Sequence, residues 1–139
     1  MNIPEGFHDV ESTVPYGILT GPYYYWFDDG DTNDWLLGFR VEKHHCSRIG
    51  LCHGGTTMGF MDIVSGQSAR EENIFPVVTM ELNAKLLRPI KMGDWVTGTG
   101  RLIKQEGTTL FIECEIYARN KLVGTATSQW KKIRHRKTK

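Results

Sequence analysis

The segment from residue 54 to about residue 70 constrains the fold most, because its length of about seventeen residues argues for a helix and against a strand. Two glycines open it, and Thr56 and Thr57 can serve the first helical turn. Apolar side chains spread over most of its circumference, which predicts a buried helix and not an amphipathic surface helix. The apolar residues are Met58, Met61, Ile63 and Val64. The segment also contains small residues that would let a sheet approach closely: Gly59, Ser65, Gly66, Ser68 and Ala69.

Strand-like runs lie on both sides of this helix. Aromatic and aliphatic runs at residues 23–27 and 35–43 flank the segment DDGDTN, whose Asp and Gly content is typical of a hairpin turn. Four further runs follow the helix, at residues 77–87, 94–105, 108–118 and 121–133. The connections between these four are short, so neighbouring strands should be antiparallel.

The run at residues 108–118 shows the clearest alternation of side chains. Apolar residues fall on one of its faces and two glutamates on the other. The apolar residues are Leu110, Ile112, Cys114 and Ile116, and the glutamates are Glu113 and Glu115. Together, these patterns predict that residues 1–139 form a single α+β domain in which one helix lies on an antiparallel sheet.

Charge and cysteine content indicate the environment of the chain. Residues 131–139 hold six basic side chains and no acid, but no RNA-binding signature accompanies them, so we predict a solvated terminus and no nucleic-acid partner. No basic start with an apolar core marks a signal peptide, and no window approaches about 18 apolar residues, so we predict no membrane segment. Three cysteines fit a reduced cytoplasmic protein better than a disulfide framework.

The start of the predicted helix offers a site for a developing oxyanion. Backbone N–H groups are free at a helix N-terminus, and Gly54 and Gly55 carry no side chain that would keep a ligand away. Asp62 lies eight residues beyond Gly54, roughly 12 Å along the helix axis, which is too far for one small group to touch both. If they cooperate, the expected geometry uses an antiparallel helix from a second subunit.

A metal site is the alternative interpretation of the segment just before the helix. Five side chains of metal-binding type occur within ten residues: His44, His45, Cys46, Cys52 and His53. Their spacing matches no zinc finger or knuckle, and no second ligand pair follows. We therefore predict a strand end and loop here, with no metal.

The sequence GLCHGGTTMGFMD at residues 50–62 resembles the signature of the hotdog-fold thioesterases, in particular the PaaI-like acyl-CoA thioesterases. Their pattern is Asn-x-x-Gly-x-x-His-Gly-Gly with an acid nine residues after the His. The stretch VVTMELNAKLLRPIKMGD at residues 77–94 is similar to a second strand of that family, and the resemblance covers roughly residues 35–132. It implies a curved antiparallel sheet around a long central helix, a homodimer or dimer of dimers, and no cofactor.

The resemblance also implies roles for five residues. The Gly54 N–H would polarise the thioester carbonyl, and Asp62 of the partner subunit would act as general base or nucleophile. His53 would shape the start of the helix and the thiol end of the substrate, and Thr79 would help to hold the water. Ser47 stands where the family has an Asn that contacts the carbonyl, and its shorter side chain puts that second contact in question.

Coenzyme A carries anionic phosphates, so the resemblance implies basic partners for them. The candidates are Lys85, Arg88, Lys91 and the basic tail, with Gly55 as a further substrate contact. Two other functions stay open, a non-catalytic acyl-CoA-binding protein and a hydratase or dehydratase. The identity of the acyl group is not predicted.

Overall fold

The computed structural model describes residues 2–30 and 32–134, and these form one seven-stranded antiparallel sheet packed around one long helix. The elements are β1 (His8–Asp9), α1 (Pro15–Thr20), β2 (Tyr24–Phe27), β3 (Trp35–Arg40), a 3-10 turn (Lys43–His45), α2 (Gly54–Glu71), β4 (Val77–Leu86), β5 (Trp95–Glu106), β6 (Thr109–Ala118) and β7 (Lys121–Lys132). The long helix and the six longer strands lie within one or two residues of their predicted positions, apart from the end of β3.

The strand order in the sheet is β1-β2-β3-β5-β6-β7-β4. β5, β6 and β7 are antiparallel neighbours, but β4 and β5 are not neighbours, because β4 pairs with β7 at the edge of the sheet. The link after β4 passes around the end of the β6–β7 hairpin instead of closing a hairpin of its own. The N–H groups of Leu87 and Arg88 donate to the Val123 carbonyl at 2.8 and 3.3 Å, and Arg119 donates to the Pro89 carbonyl at 2.9 Å.

β3 ends at Arg40, three residues before the predicted end. The side chain of His45 accepts a hydrogen bond from the Glu42 N–H at 2.9 Å, and the Glu42 side chain accepts one from the backbone of His45. This reciprocal capping turns the chain into the 3-10 turn Lys43–His45. The predicted hairpin at DDGDTN is confirmed, since Phe27 pairs with Trp35.

The closed face of α2 packs on the sheet. Its buried residues are Thr57, Phe60, Met61, Val64, Ser65, Ser68 and Ala69. Two strand glycines make the close approach possible: a Cβ at Gly98 would lie 2.7 Å from Val64, and one at Gly124 would lie 2.5 Å from Met61. A larger residue at either position would force the neighbouring side chains to move. Within residues 2–30 and 32–134, no helix has the length and apolar character needed to cross a membrane.

The opposite face of α2, called the open face, is only partly covered by the protomer's own sheet: Thr79 of β4 donates to Asp62, and Trp130 of β7 lies beside Gly66. Its residues recur every three or four positions and are half-buried or exposed: Gly55, Met58, Asp62, Ile63, Gly66 and Arg70. The prediction of a helix buried over most of its circumference is therefore wrong for this side. Ile63 on this side still packs against the protomer's core, whereas Met58 is 41% exposed.

A β-bulge in β4 decides which of its side chains face α2. Between Thr79 and Glu81 the pairing with β7 shifts by one residue, so Met80 is extra. Before the bulge, Val77 and Thr79 point to the helix side, and after it the even-numbered residues do so. Those residues are Leu82, Ala84 and Leu86.

Candidate active site

His53 is the N-cap of α2 and fixes the geometry at the start of the helix. Its φ and ψ of −62° and 136° are extended, and its Nδ1 accepts a hydrogen bond from the Gly55 N–H at 2.9 Å. Neutral His53 therefore carries its proton on Nε2. The His53 carbonyl accepts the N–H of Thr57 at 3.0 Å, so two of the first helical amides are already satisfied.

The Gly54 N–H, in contrast, donates to no acceptor among the residues that the structure describes. Gly54 lines a cleft of about 350 Å³ between the start of α2 and the end of β4. The cleft is mostly apolar, with Arg88 as its charged residue, and its other walls include Cys52, Thr57, Leu86, Leu87, Pro89, Ile90 and Val123. A free helical N–H at such a surface can bind a carbonyl oxygen or an anion.

Asp62 lies two turns further along α2, on the open face and half-buried. The Thr79 hydroxyl donates to Asp62 Oδ1 at 2.6 Å, which orients the carboxylate and leaves Oδ2 without a protein donor in the described part of the chain. The bulge at Met80 makes this contact possible, because it keeps Thr79 on the helix side while Leu86 of the same strand reaches Gly54.

Asp62 and Gly54 belong to different clefts of one protomer. Asp62 lines a cleft of about 490 Å³ whose walls include Val14, Ile63, Phe75, Val77 and Trp130, and this cleft does not include Gly54. Eight helical residues separate them by roughly 12 Å along the axis. The two groups therefore cannot act on one thioester bond within a single copy of the chain.

Two other residues predicted to contact the substrate at this end of the site are Ser47 and Gly55. Ser47 lies in a turn, where its N–H donates to the Leu51 carbonyl at 2.7 Å, and it does not line the Gly54 cleft. The Gly55 amide is already bonded to His53. Gly54 is thus the predicted donor with a free amide.

The predicted basic residues lie around the same end of the molecule. Lys85, Arg88 and Lys91 are exposed, and none of them forms an ion pair within residues 2–30 and 32–134. Arg88 lines the Gly54 cleft directly, and Lys91 pairs through its backbone with Leu51 at the rim of the cleft. Of the basic tail, Lys131 and Lys132 belong to β7, while Arg136, Lys137 and Lys139 lie outside the described residues.

The His and Cys cluster before α2 is organised by hydrogen bonds. Buried His45 accepts from the Glu42 N–H through Nδ1, so its Nε2 donates to the Thr20 carbonyl, and His44 Nε2 lies 3.0 Å from the Gly21 carbonyl. Burial lowers the pKa of His45, which favours this neutral form. Across the described ranges, no group of three or more His, Cys, Asp or Glu side chains converges as metal ligands would.

The N-terminal region contributes to the site in a way that the sequence did not predict. The Tyr16 hydroxyl lies over Gly59 of α2, where a Cβ would approach it to 2.6 Å, and Val14 lines the Asp62 cleft. The sequence signal for this wall is a group of apolar and aromatic residues that the structure leaves exposed: Val10, Val14, Tyr16, Ile18 and Leu19. Residues before β2 therefore form one wall beside the carboxylate.

Comparison with known proteins identifies relatives of this chain. The family model described as "Thioesterase superfamily" matches residues 49–125, which include the α2 start, Asp62 and Thr79. Acyl-coenzyme A thioesterase 13 of Mus musculus is 28% identical over 101 residues, covering 72% of this chain and 71% of the mouse protein.

Two solved structures share the fold. The Escherichia coli PaaI protein from the phenylacetic acid degradation operon has a TM-score of 0.66 and 21% identity, covering 71% of this chain and 72% of its own. A hypothetical thioesterase of Streptococcus pneumoniae, crystallised with coenzyme A, has a TM-score of 0.68 and 21% identity, covering 77% of this chain and 86% of its own. These similarities confirm the predicted hotdog fold.

Proposed function

The chain belongs to the thioesterase superfamily, and we propose that it hydrolyses acyl-CoA thioesters to a carboxylic acid and free coenzyme A without a cofactor. The name of the mouse relative and the coenzyme A in the pneumococcal structure support this choice of substrate. The three free cysteines support a cytoplasmic location.

The observation that carries the proposal is the pairing, on one helix, of a free amide with an oriented carboxylate. The Gly54 N–H opens onto a cleft and has no acceptor among the described residues, and Asp62 is held by Thr79. A thioester hydrolase needs a donor for the carbonyl oxygen and a base or nucleophile for the carbonyl carbon. These two residues supply both.

The proposal requires a second copy of the chain, because Gly54 and Asp62 open into different clefts. β4 is an edge strand of ten residues, and its exposed apolar side chains include Val78, Met80 and Leu86. A long apolar edge favours pairing with another strand. Antiparallel pairing of two β4 edges around a two-fold axis would set the two α2 helices side by side in opposite directions. Each Asp62 would then face the partner's Gly54, and two such dimers could assemble further.

In this arrangement the chemistry follows from the two groups. The thioester carbonyl oxygen accepts the Gly54 N–H, whose position at the N-terminus of α2 stabilises the negative charge that develops there. Asp62 of the partner subunit either removes a proton from the attacking water or attacks the carbonyl carbon itself. Arg88 in the Gly54 cleft, with Lys85 and Lys91 nearby, would bind the phosphates of coenzyme A.

Replacement of the carboxylate tests the catalytic assignment. We expect Asp62→Asn to lower kcat for a panel of acyl-CoAs by at least about 100-fold, while binding of a non-hydrolysable CoA thioether changes little. Glu72→Gln, an exposed acid at the end of the same helix, is the matched control and should keep the wild-type rate. Full turnover by Asp62→Asn would refute the assignment. Tight thioether binding by a wild-type protein without turnover would favour the non-catalytic binding function.

Subunit mixing tests the shared site. Gly54→Pro removes the N–H at the first helical position, where proline is tolerated, and the extended His53 before it suits a proline. Gly54→Ala is the control, since it keeps the N–H and its Cβ would lie 3.6 Å from Leu86, an ordinary contact. We expect Gly54→Pro to lose about 100-fold in kcat or more, and Gly54→Ala far less.

Mixtures of Asp62→Asn and Gly54→Pro should regain activity. After refolding together, half of the dimers are mixed, and each mixed dimer has one site with both groups intact, giving about a quarter of the wild-type activity. If the two groups act within one chain, the mixture stays as inactive as its components.

A further inference from the structure

Cys46 and Cys52 face each other directly before α2. They form an isolated antiparallel bridge, framed by two backbone hydrogen bonds. The Ser47 N–H donates to the Leu51 carbonyl at 2.7 Å, and the His53 N–H donates to the His45 carbonyl at 2.8 Å. Because these bonds join the flanking residues and not the cysteines themselves, the pair is of the non-hydrogen-bonded kind.

This type of pair suits a disulfide. Directly opposed residues in a non-hydrogen-bonded pair have Cα atoms about 4.5 Å apart, which lies within the roughly 4.4–6.8 Å range of disulfide-linked cysteines. The backbone is also held on its other side, since the Cys52 N–H donates to the Ile90 carbonyl at 2.7 Å and Leu51 bridges to Lys91. The pairing therefore suits a Cys46–Cys52 disulfide without a rearrangement of the backbone.

Small reagents can reach these thiols. All three cysteines of the chain are free; Cys46 and Cys52 are half-buried, whereas Cys114 is 2% exposed in the core. Cys52 lines the Gly54 cleft, where the Thr57 hydroxyl lies 3.6 Å from its Sγ. The Cys46 thiol donates to the Glu42 carbonyl at 3.4 Å. A molecule small enough to enter the cleft thus meets Cys52, and Cys46 is the residue paired with it.

We propose that Cys46 and Cys52 are a modification site that forms a reversible intramolecular disulfide by exchange with a low-molecular-weight disulfide. The Cys52 thiolate attacks one sulfur of that disulfide, forms a mixed disulfide and releases one thiol. The Cys46 thiolate then attacks the Cys52 sulfur, forms the Cys46–Cys52 bond and releases the second thiol. Two protein thiols are oxidised while the small disulfide is reduced to two thiols, so electrons and protons balance.

Formation of this disulfide would affect residues next to the proposed catalytic groups. Cys52 directly precedes the cap His53 and lies two residues before Gly54. The disulfide would join the end of the 3-10 turn, at Cys46, to the segment that leads into α2, at Cys52. Burial raises the pKa of the Cys52 thiol, so less of it is present as the reactive thiolate. The exchange should therefore be slow, and a test needs a long incubation. The disulfide itself does not depend on the proposed function.

The test is intact-mass spectrometry of the folded protein after overnight incubation with oxidised glutathione and acid quenching. We expect most wild-type molecules to lose about 2 Da, the mass of two hydrogens, with peptide mapping joining residues 46 and 52. Dithiothreitol should reverse the loss. Cys114→Ala, the matched control, should behave as wild type.

The single-cysteine variants separate the two exchange steps. Cys46→Ser should stop at a mixed disulfide on Cys52 and gain about 305 Da per molecule, because no second thiol can displace glutathione. Cys52→Ser should not lose 2 Da. The proposal is overturned if the wild-type mass stays unchanged, if glutathione adducts persist on both cysteines, or if the mapped disulfide includes Cys114.

Discussion

The two faces of α2 differ in how deeply their side chains are buried and in which residue types they carry. The closed face is filled by side chains with almost no exposure, including Phe60, Met61 and Val64, and two strand glycines make room for it. The open face carries small residues, exposed Met58 and half-buried Asp62. The closed face contributes buried apolar packing to the free energy of folding, while the open face carries the proposed catalytic carboxylate. Substitutions on the two faces should therefore change different measured quantities.

The largest expected effect is on stability at the closed face. Phe60 is fully buried, with its ring 4.8 Å from that of Phe39 and 6.1 Å from that of Tyr23. Phe60→Ala should lower the free energy of unfolding by about 3–5 kcal/mol in urea titrations. Met58→Ala on the open face, where the side chain is 41% exposed in a single protomer, should cost less than about 1 kcal/mol at protein concentrations too low for two copies to pair. Equal losses at both positions would remove the distinction between the faces.

A smaller effect is expected on rate at the open face. Thr79→Val keeps the shape of the side chain but removes the hydroxyl that donates to Asp62 at 2.6 Å. Without this donor the Asp62 carboxylate is no longer oriented, so we expect kcat for acyl-CoA hydrolysis to fall at least about tenfold. The same lost hydrogen bond should lower the free energy of unfolding in urea by no more than about 1.5–3 kcal/mol. Thr79→Ser keeps the donor and should retain most of the activity. A Thr79→Val enzyme at wild-type rate would show that Asp62 needs no orienting partner.

The smallest expected effect is a change in stability at the N-cap of α2. His53→Ala removes the acceptor for the Gly55 N–H, which should lower the free energy of unfolding by about 1 kcal/mol. His53→Asn should restore most of that loss, because Asn is a favoured N-cap residue. Thermal unfolding monitored by circular dichroism measures both. If Asn does not rescue, His53 contributes through something other than its hydrogen bond to Gly55.

The local elements could be predicted from the sequence because local patterns determine them. The two glycines and the helix-compatible residues after them predicted both ends of α2 to within about one residue. The alternation of apolar and polar side chains predicted the position of β6. The position of β4 could not be predicted in this way. Its pairing with β7 depends on contacts between Arg88, Pro89 and the β6–β7 hairpin that no short window contains.

The bulge explains the remaining difficulty in β4. A strict period of two would place Val77 and Thr79 on the same face as Glu81 and Lys85, which no apolar core accepts. One extra residue at Met80 resolves the conflict, but its position follows from pairing with β7. The candidate site could also be predicted only in part. Residue types and a family resemblance pointed to Gly54, Asp62 and Thr79. The hydrogen bond from the Gly55 N–H to His53 could not be predicted, because it depends on the side-chain rotamer of His53.

If two copies pair through the free edge of β4, the rate of the proposed reaction depends on the concentration of the protein in the cell. A catalyst whose every centre draws on two identical copies loses specific activity on dilution, since separated copies have half a centre each. Turnover would then rise with roughly the square of the protein level while copies are scarce, and linearly once they are paired. A modest change in expression could thus act as a switch without any dedicated regulatory domain.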